Sequence, residues 1–275
     1  MGEDIVKRRT FMQTMGAATG ASLFGAFMPS RAQTQPGPAA SPALADELVI
    51  ANHILFDQGV VDAFGHISVR NDNNPQRFML ARNMAPGRVS AEDIIEFTLD
   101  GEAVNGNGRK VYLERFIHGE IYRKRPDVKA VVHSHSQSIV PLTVSKGTHL
   151  RALFHMAGFI GTEAPVFEIR QVGGNGTDLL ISDNKLGRAL ADHFKSHDIV
   201  LMRGHGSTVV GGSIQHAVYR AVYAEVNARY QLQASMLGEV IFLTEEECDA
   251  CVARVEPQMQ RAWELWKAQA MERRR

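Results

Sequence analysis

The feature that most constrains this chain is the run of residues 131–135, which reads Val-Val-His-Ser-His. Two β-branched apolar residues followed by polar ones are typical of a buried strand that reaches an open end. Because side chains on a strand alternate between its faces, His133 and His135 project the same way, about 7 Å apart. Two such imidazoles can bind one divalent ion of zinc, manganese or iron. Histidines at this spacing also occur in cores, so the pair alone leaves both a metal site and a structural role open.

The charge and the apolar content of the chain exclude two classes of partner. Of its 275 residues, 44% are apolar and 22% are charged, which are ordinary values for a globular protein with a full core. Basic and acidic residues are equal in number, at 30 each. Since neither sign is in excess, neither nucleic acid nor an anionic membrane is expected as a partner.

The first forty residues differ from the rest and resemble an export signal. A basic cluster with Arg8 and Arg9 precedes a weakly apolar run rich in glycine and alanine. Small residues at Ser30 and Ala32 then suit a signal peptidase. The paired arginines resemble a twin-arginine leader, which exports folded proteins to the periplasm, where no stable membrane association is expected after cleavage. A disordered basic tail is the alternative. The predicted organisation is a signal peptide at 1–32, a flexible linker at 33–42 and one folded domain at 43–275.

Hydrophobic periodicity and capping residues divide the domain into helices and strands. Helices are predicted at 43–58, 112–125, 138–144, 184–194 and 214–237, with a last one opened by a capping box at Thr244. Strands are predicted at 64–69, 77–80, 95–99, 131–136, 164–169, 179–181, 199–202 and 207–210. Because helices and strands alternate irregularly, we expect an α/β protein with a mixed sheet rather than a doubly wound parallel one.

Two further motifs carry reactive side chains. Glu114 and His118 lie four residues apart in the predicted helix 112–125, within reach of each other, although an exposed ion pair would give the same spacing. His205 lies between two glycines at a break between two predicted strands. Glycine on both sides permits a sharp turn and leaves the imidazole approachable.

Together these three motifs resemble the class II aldolase and adducin family, also called the fuculose-phosphate aldolase fold. The resemblance covers approximately residues 44–243. It implies a three-layer αβα architecture with a central mixed, largely antiparallel sheet, and a homotetramer with active sites between subunits. Two more motifs support it: Gly65-x-x-Ser68-x-Arg70 and Tyr122-x-x-x-Arg125-Pro126-Asp127-Val128.

The resemblance also implies roles for single residues. His133, His135 and His205 match the metal-binding histidines, which implies one divalent ion per subunit, either zinc, manganese or iron. Three neutral imidazoles leave coordination positions open, in agreement with a catalytic metal. Glu114 matches the carboxylate that serves as general acid and base and can bind the metal before substrate arrives. His118 is expected to support the site or contact substrate, with a packing role as the alternative.

The sequence departs from the sugar-phosphate members of the family where those bind phosphate. His66 replaces their asparagine, and residues 81–84 replace a Thr-Pro-Ser-Gly-like loop. Tyr112 and Leu113 replace two serines before the catalytic glutamate. The small hydroxyl and backbone groups that hold a phosphate dianion are therefore missing. His66 and Arg82 are candidates for binding a substrate carboxylate, with surface or structural roles as the alternative.

The remaining candidates depend on weaker signals. Tyr112 and His155 are candidate pocket residues, although a core role suits His155 as well. Cys248 and Cys251 lie three residues apart in the last predicted helix, a spacing with poor geometry for a disulfide, and we expect neither to have a special role.

The pattern resembles the family branch that acts on aromatic or heteroaromatic hydroxy-carboxylates. We therefore expect a metal-dependent carbon–carbon lyase that decarboxylates such a small-molecule carboxylate through a metal-stabilised enolate, with Glu114 as acid and base. The alternative is an aldolase that cleaves a non-phosphorylated hydroxy-keto compound. Two other classes also fit: a non-catalytic periplasmic protein that binds a metal or ligand, and an iron-dependent oxygenase.

Overall fold

The computed structural model of the protein describes residues 39–273. The predicted signal peptide and linker residues 33–38 lie outside the described residues. The end of the linker already belongs to the folded domain, because the Ser41 hydroxyl accepts the backbone N–H of Leu44 at 3.3 Å and Pro42 opens the first helix. The helix thus begins just before the predicted boundary, since a serine cap followed by proline is a strong start signal.

Helices and strands alternate along the chain without a fixed repeat. The helices are α1 (Pro42–Asp57), α2 (Arg115–Lys124), α3 (Val140–Val144), α4 (Arg170–Gly173), α5 (Asn184–Phe194), α6 (Ile214–Leu237), α7 (Glu245–Val255) and α8 (Met259–Glu272). The strands are β1 (His66–Arg70), β2 (Arg77–Ala81), β3 (Ile94–Thr98), β4 (Ala130–Ser134), β5 (Val166–Phe167), β6 (Ile199–Met202) and β7 (Gly206–Gly211). Within residues 39–273, no helix is both long and apolar enough to cross a membrane.

The strands of the described region form one sheet in the order β3-β2-β1-β4-β7-β6-β5. Neighbouring strands are antiparallel, except that β5 and β6 are parallel. The prediction of a mixed, largely antiparallel sheet is therefore confirmed. Because β4 is the central strand, hydrogen bonds to β1 and β7 fix the position of the His-x-His motif at its end.

Helices cover both faces of this sheet, as the predicted three-layer αβα architecture requires. Val132 belongs to an apolar cluster with residues of α1, α6 and α8, whereas Val131 belongs to a second cluster with residues of α2 and α5. Burial on both faces explains why the central strands are apolar at consecutive positions. His133 projects to the same face as Val131, which is the face covered by α2.

The helix predicted at 112–125 is shorter than expected. It begins at Arg115, with Glu114 at the N-cap position, and Leu113 before it is 61% exposed. Before the helix, the Tyr112 hydroxyl donates to the Met84 carbonyl, which ties this part of the chain to the loop after β2. Glu114 therefore lies at the end of α2 rather than on its side.

Two other predicted elements differ from the structure. The strand predicted at 179–181 is wrong: Leu179 has a φ of 71°, and the N–H groups of the next two residues donate to side chains instead of to a strand. The helix predicted after Thr244 is interrupted at Pro257, because proline has no backbone N–H to continue the helical pattern. The capping box at Thr244 itself is confirmed.

Candidate active site

The structure brings together the three predicted metal-binding histidines and the predicted acid and base, Glu114. Pairing of β4 with β7 causes this meeting, because Ser134 lies opposite Ser207 and His135 then lies beside the turn that carries His205. The start of α2 adds the carboxylate. In the part of the chain that the structure describes, the ligand atoms of these four residues all lie within 4.8 Å of one another: Glu114, His133, His135 and His205.

The distances in this cluster suit ligands arranged around one ion. Nε2 of His135 lies 3.1 Å from Nε2 of His133 and 3.0 Å from Nε2 of His205. Oε2 of Glu114 lies 3.5 Å from Nε2 of His133 and 3.3 Å from Nε2 of His205. Nitrogen and oxygen ligands bound at about 2.1 Å in tetrahedral or octahedral geometry are separated by roughly 3.0 to 3.4 Å. The cluster therefore fits a divalent transition metal.

Hydrogen bonds at the far nitrogens turn two imidazoles toward the cluster. Nδ1–H of His133 donates to the Ser207 carbonyl at 3.1 Å, and Nδ1–H of His205 donates to the Leu179 carbonyl at 2.9 Å. Since a neutral imidazole carries one hydrogen, Nε2 of each ring keeps its lone pair for the ion. Carbonyl partners of this kind are usual behind metal-binding histidines.

Glu114 connects the cluster to the loop between α4 and α5. Its Oε1 accepts the backbone N–H of Ile181 at 3.0 Å, while its Oε2 faces His133 and His205. Burial disfavours the charged form, but the charges and hydrogen bonds of the two histidines outweigh it, so the pKa of Glu114 lies below its usual value. Glu114 is therefore a carboxylate at neutral pH, able to bind a cation or to accept a proton.

The pKa values of His135 and His205 shift in opposite directions. Burial, together with the neighbouring His133 and His205, lowers the pKa of His135 to about 4. Burial also opposes the charged form of His205, but the hydrogen bond and charge of Glu114 raise the pKa of that imidazole. A proton on His205 occupies the nitrogen that a metal would use, so metal binding releases it.

Sequence reasoning missed the contribution of the loop between α4 and α5. The Leu179 carbonyl orients His205, and the Ile181 N–H orients Glu114. Both groups belong to the main chain, which gives no residue-type signal at those positions. Only the path of the loop, which the strand prediction at 179–181 had wrong, brings them to the cluster.

A cavity of about 310 Å³ adjoins this cluster. Glu114, His135 and His66 contribute polar groups to it. Phe64 is 66% exposed and Leu113 is 61% exposed, so two large apolar side chains of the cavity are open to solvent. Phe64 was not predicted, although an aromatic residue directly before the Gly65 motif was a usable signal. The other lining residues are mostly apolar: Ala63, Gly65, Asn83, Met84, Ala85, Tyr112 and Leu180.

Two of the predicted substrate-binding residues line this cavity. The rings of His66 and Tyr112 lie 4.6 Å apart, centroid to centroid, and His66 lies 5.1 Å from the His133 ring. Both residues are largely buried, and both line the cavity. The structure therefore places His66 and Tyr112 where they can contact a small molecule bound in the cavity.

His118 lies behind His66 and has no exposed surface. Its Nε2 lies 2.7 Å from Nδ1 of His66, and its Nδ1 lies 2.6 Å from Oγ of Ser68. Direct contact of His118 with substrate is therefore excluded, and its partners are His66 and Ser68 rather than the predicted Glu114. Burial and the nearby imidazoles lower the pKa of His66, and they lower that of His118 to about 3.

Residues 46–232 match a family model described as Class II Aldolase and Adducin N-terminal domain. The chain belongs to this family. It is a lyase of the class II aldolase type. Class II aldolases use a divalent metal, and the Glu/His cluster of this lyase could hold one.

Individual relatives agree with this assignment. The chain is 39% identical over 237 residues to Decarboxylase tropJ of Talaromyces stipitatus, covering 78% of this chain and 89% of that protein. It is 28% identical over 208 residues to the 3,4-dihydroxyphthalate decarboxylase of Arthrobacter keyseri, covering 70% and 79% of the two chains. The fold is similar to that of L-fuculose 1-phosphate aldolase from Glaciozyma antarctica, with a TM-score of 0.69, 21% identity, and coverage of 86% and 96%.

Two of the predicted substrate-binding residues of the lyase, Arg82 and His155, do not line this cavity. Nε–H of Arg82 donates to Asp93 at 2.6 Å, so its charge is already paired, and Arg82 does not line the described cavity. His155 is exposed at the start of the 3₁₀ segment His155–Ile160, with its ring against Phe154. The predicted pocket roles of Arg82 and His155 are therefore wrong for the described cavity. Cys248 and Cys251 in α7 are both unpaired thiols, as expected.

Proposed function

We propose that this lyase releases carbon dioxide from a hydroxy-aromatic or hydroxy-heteroaromatic carboxylate, with one divalent ion of zinc, manganese or iron per subunit as cofactor. The observation that carries the proposal is the mainly apolar cavity beside Glu114 and His135. The names of the two decarboxylase relatives support the same reaction.

The exposed apolar side chains of the cavity favour a planar ring as substrate. A ring seated against Phe64 and Leu113 would remove apolar surface of both partners from water, which is worth roughly 25 cal/mol per Å². Phe64 can also stack on an aromatic ring. A sugar would gain little here, because its hydroxyl groups would lose water without finding partners on these walls.

The loop after β2 uses its donors internally, which disfavours a phosphate. The backbone N–H groups of Arg82 and Asn83 donate to the carbonyls of Asp93 and Lys110, at 2.8 Å and 2.9 Å. A phosphate dianion needs several converging donors of this kind. A carboxylate is singly charged and needs fewer of them.

The residues of the cavity can carry the proton transfers of a decarboxylation. When bound, the divalent ion would act as a Lewis acid toward the substrate oxygens. Glu114 takes the proton of the substrate hydroxyl and delivers it to the ring carbon that loses the carboxylate. Carbon dioxide leaves while the bonding electron pair stays on the ring carbon, and the substrate oxygen regains a proton from solvent.

Retro-aldol cleavage of a non-phosphorylated hydroxy-keto compound is the second candidate. The same cluster suits it, because Glu114 could remove the hydroxyl proton as the carbon–carbon bond breaks. The reaction would release an aldehyde in place of carbon dioxide, so product analysis separates the two functions.

We predict that a panel of hydroxy-aromatic carboxylates contains a substrate that releases carbon dioxide with the zinc-, manganese- or iron-loaded protein. Fuculose and ribulose phosphates should be poor substrates, because the loop after β2 uses its N–H groups internally and the cavity walls are mostly apolar. The measurement is carbon dioxide release beside a coupled assay for aldehyde, with the same aromatic compound lacking its carboxylate as control. Efficient cleavage of a sugar phosphate would overturn the decarboxylase proposal in favour of an aldolase.

Two further proposals concern the assembly and the location of the protein. We propose a homotetramer with active sites between subunits, which sedimentation of the purified protein tests.

We also propose export to the periplasm through the predicted twin-arginine signal. Replacing Arg8 and Arg9 with lysine should keep the protein in the cytoplasm of a bacterium with that export system, and an unchanged periplasmic yield would argue against this route.

A further inference from the structure

A buried chain of four polar side chains ends at the cavity. Oη of Tyr122 lies 2.7 Å from Oγ of Ser68, which lies 2.6 Å from Nδ1 of His118. Nε2 of His118 lies 2.7 Å from Nδ1 of His66. Tyr122, Ser68 and His118 are at most 1% exposed, so water does not compete for these hydrogen bonds. The reaction outlined above uses none of the three.

The inner end of the chain sets the direction of its hydrogen bonds. Besides Ser68, the Tyr122 hydroxyl has the Lys129 carbonyl as an acceptor, but at 3.5 Å, the outer limit for a hydrogen bond. The Tyr122 hydrogen therefore points to Ser68, and the Ser68 hydrogen points to Nδ1 of His118. Since that nitrogen accepts, the hydrogen of the neutral His118 ring is on Nε2 and donates to Nδ1 of His66.

At the outer end of the chain, the position of the His66 hydrogen is fixed as well. Because Nδ1 of His66 accepts a hydrogen bond, the hydrogen of this neutral ring is on Nε2. Within residues 39–273, no hydrogen-bond partner of His66 Nε2 is found, and His66 lines the cavity beside Glu114. An N–H group is thus presented to whatever occupies the cavity.

We propose that the chain Tyr122–Ser68–His118 holds His66 as a neutral Nε2–H donor to the carboxylate of the substrate. On this view His66 contacts substrate, while the other three are positioning residues. The proposal rests on the proposed function, and it explains why a neutral donor is used. The carboxylate loses its negative charge as carbon dioxide forms, so a cation would stabilise the ground state more than the transition state. A neutral N–H orients the substrate carboxylate and stabilises the ground state less than a cation would.

The first test reads the hydrogen positions without any substrate. Nitrogen NMR of the full chain, labelled in its histidine rings and measured metal-free and zinc-loaded, distinguishes Nδ1–H from Nε2–H rings. His66→Gln and His118→Gln identify the two signals. We expect both rings as Nε2–H forms. A His66 ring with its hydrogen on Nδ1 would overturn the proposal, whatever reaction the protein catalyses.

The second test removes the group that donates to His66. His118→Leu leaves Nδ1 of His66 without its donor, so a share of His66 should carry hydrogen on Nδ1. The control is Tyr219→Phe, which removes a buried hydroxyl that lies outside the chain and donates to the Met156 carbonyl at 3.1 Å. We expect the control to keep the wild-type tautomers and rate. Equal spectra and rates in the two variants would contradict a positioning role.

The third test concerns the ligand. His66→Leu should weaken binding of a hydroxy-aromatic carboxylate to the zinc-loaded protein roughly 10- to 100-fold, the range for one charge-assisted hydrogen bond. Affinity for the same compound without its carboxylate should not change. His66→Gln keeps an N–H near the position of Nε2 and should recover part of the loss. Calorimetry measures all three, and equal weakening for both compounds would show that His66 only shapes the cavity.

Discussion

Replacing Glu114 with glutamine is expected to lower kcat at least about 100-fold, because acid–base catalysis by one side chain contributes roughly 10² to 10⁴-fold. Glutamine keeps the volume of the side chain and an oxygen for the Ile181 N–H. It cannot take a proton from the substrate hydroxyl and return it to carbon. Carbon dioxide release measures the rate, and elemental analysis of the same sample shows whether metal is retained, which separates lost turnover from lost metal.

A second buried carboxylate provides the control for this variant. Glu256 is 8% exposed and forms an ion pair with Arg220 at 2.8 Å, outside the cluster. Glu256→Gln should lower the free energy of unfolding, because it breaks a buried ion pair, while leaving kcat unchanged. A Glu114→Gln variant that turns over at a near-normal rate with metal bound would assign proton transfer to another group.

The sequence could predict the site residues that lie along a regular strand or between two glycines. The period of two along β4 placed His133 and His135 on one face. Glycines on both sides of His205 indicated an approachable turn. The sheet then joined these motifs through the pairing of β4 with β7, which no local pattern specifies. The family resemblance implied only that the three histidines share one metal.

The errors arose where long-range contacts override local pattern. Helical spacing placed Glu114 and His118 side by side, whereas the structure puts Glu114 at the N-cap and pairs His118 with His66 and Ser68. Charge and position suggested Arg82 for the substrate, but Asp93 pairs with it. Neither partner could be identified from sequence alone, because the hydrogen-bond partner of a buried or partly buried polar group depends on which elements pack together.

Each of His133→Ala, His135→Ala and His205→Ala is expected to bind metal roughly 100-fold more weakly or worse, and so to lose most of its activity. Four-ligand zinc sites bind with about 10 to 16 kcal/mol, so one ligand accounts for approximately a quarter of that free energy. Elemental analysis after gel filtration measures the bound metal. Adding metal back in excess should restore part of the activity if the fold is intact.

A histidine outside the cluster is the matched control. His216 is half-buried, and its Nε2 lies 2.9 Å from Glu256. His216→Ala should retain the full metal content, although its stability should fall. Thermal unfolding gives an independent measurement, because an ion that binds only the native state raises Tm. A chelator should therefore lower the Tm of the wild type and of His216→Ala, and have little effect on the three ligand variants.

His205 is the most informative of the three, because it comes from a turn and not from β4. Its Nε2 faces both His135 and the carboxylate of Glu114, so its geometry suits either a ligand or a plain ion pair. A ligand variant loses metal, whereas an ion-pair variant keeps metal and leaves Glu114 with a higher pKa, because a partner that favours the charged form is gone. Full metal content and an unchanged Tm response to chelator in His205→Ala would therefore remove this residue from the metal site and limit it to holding Glu114.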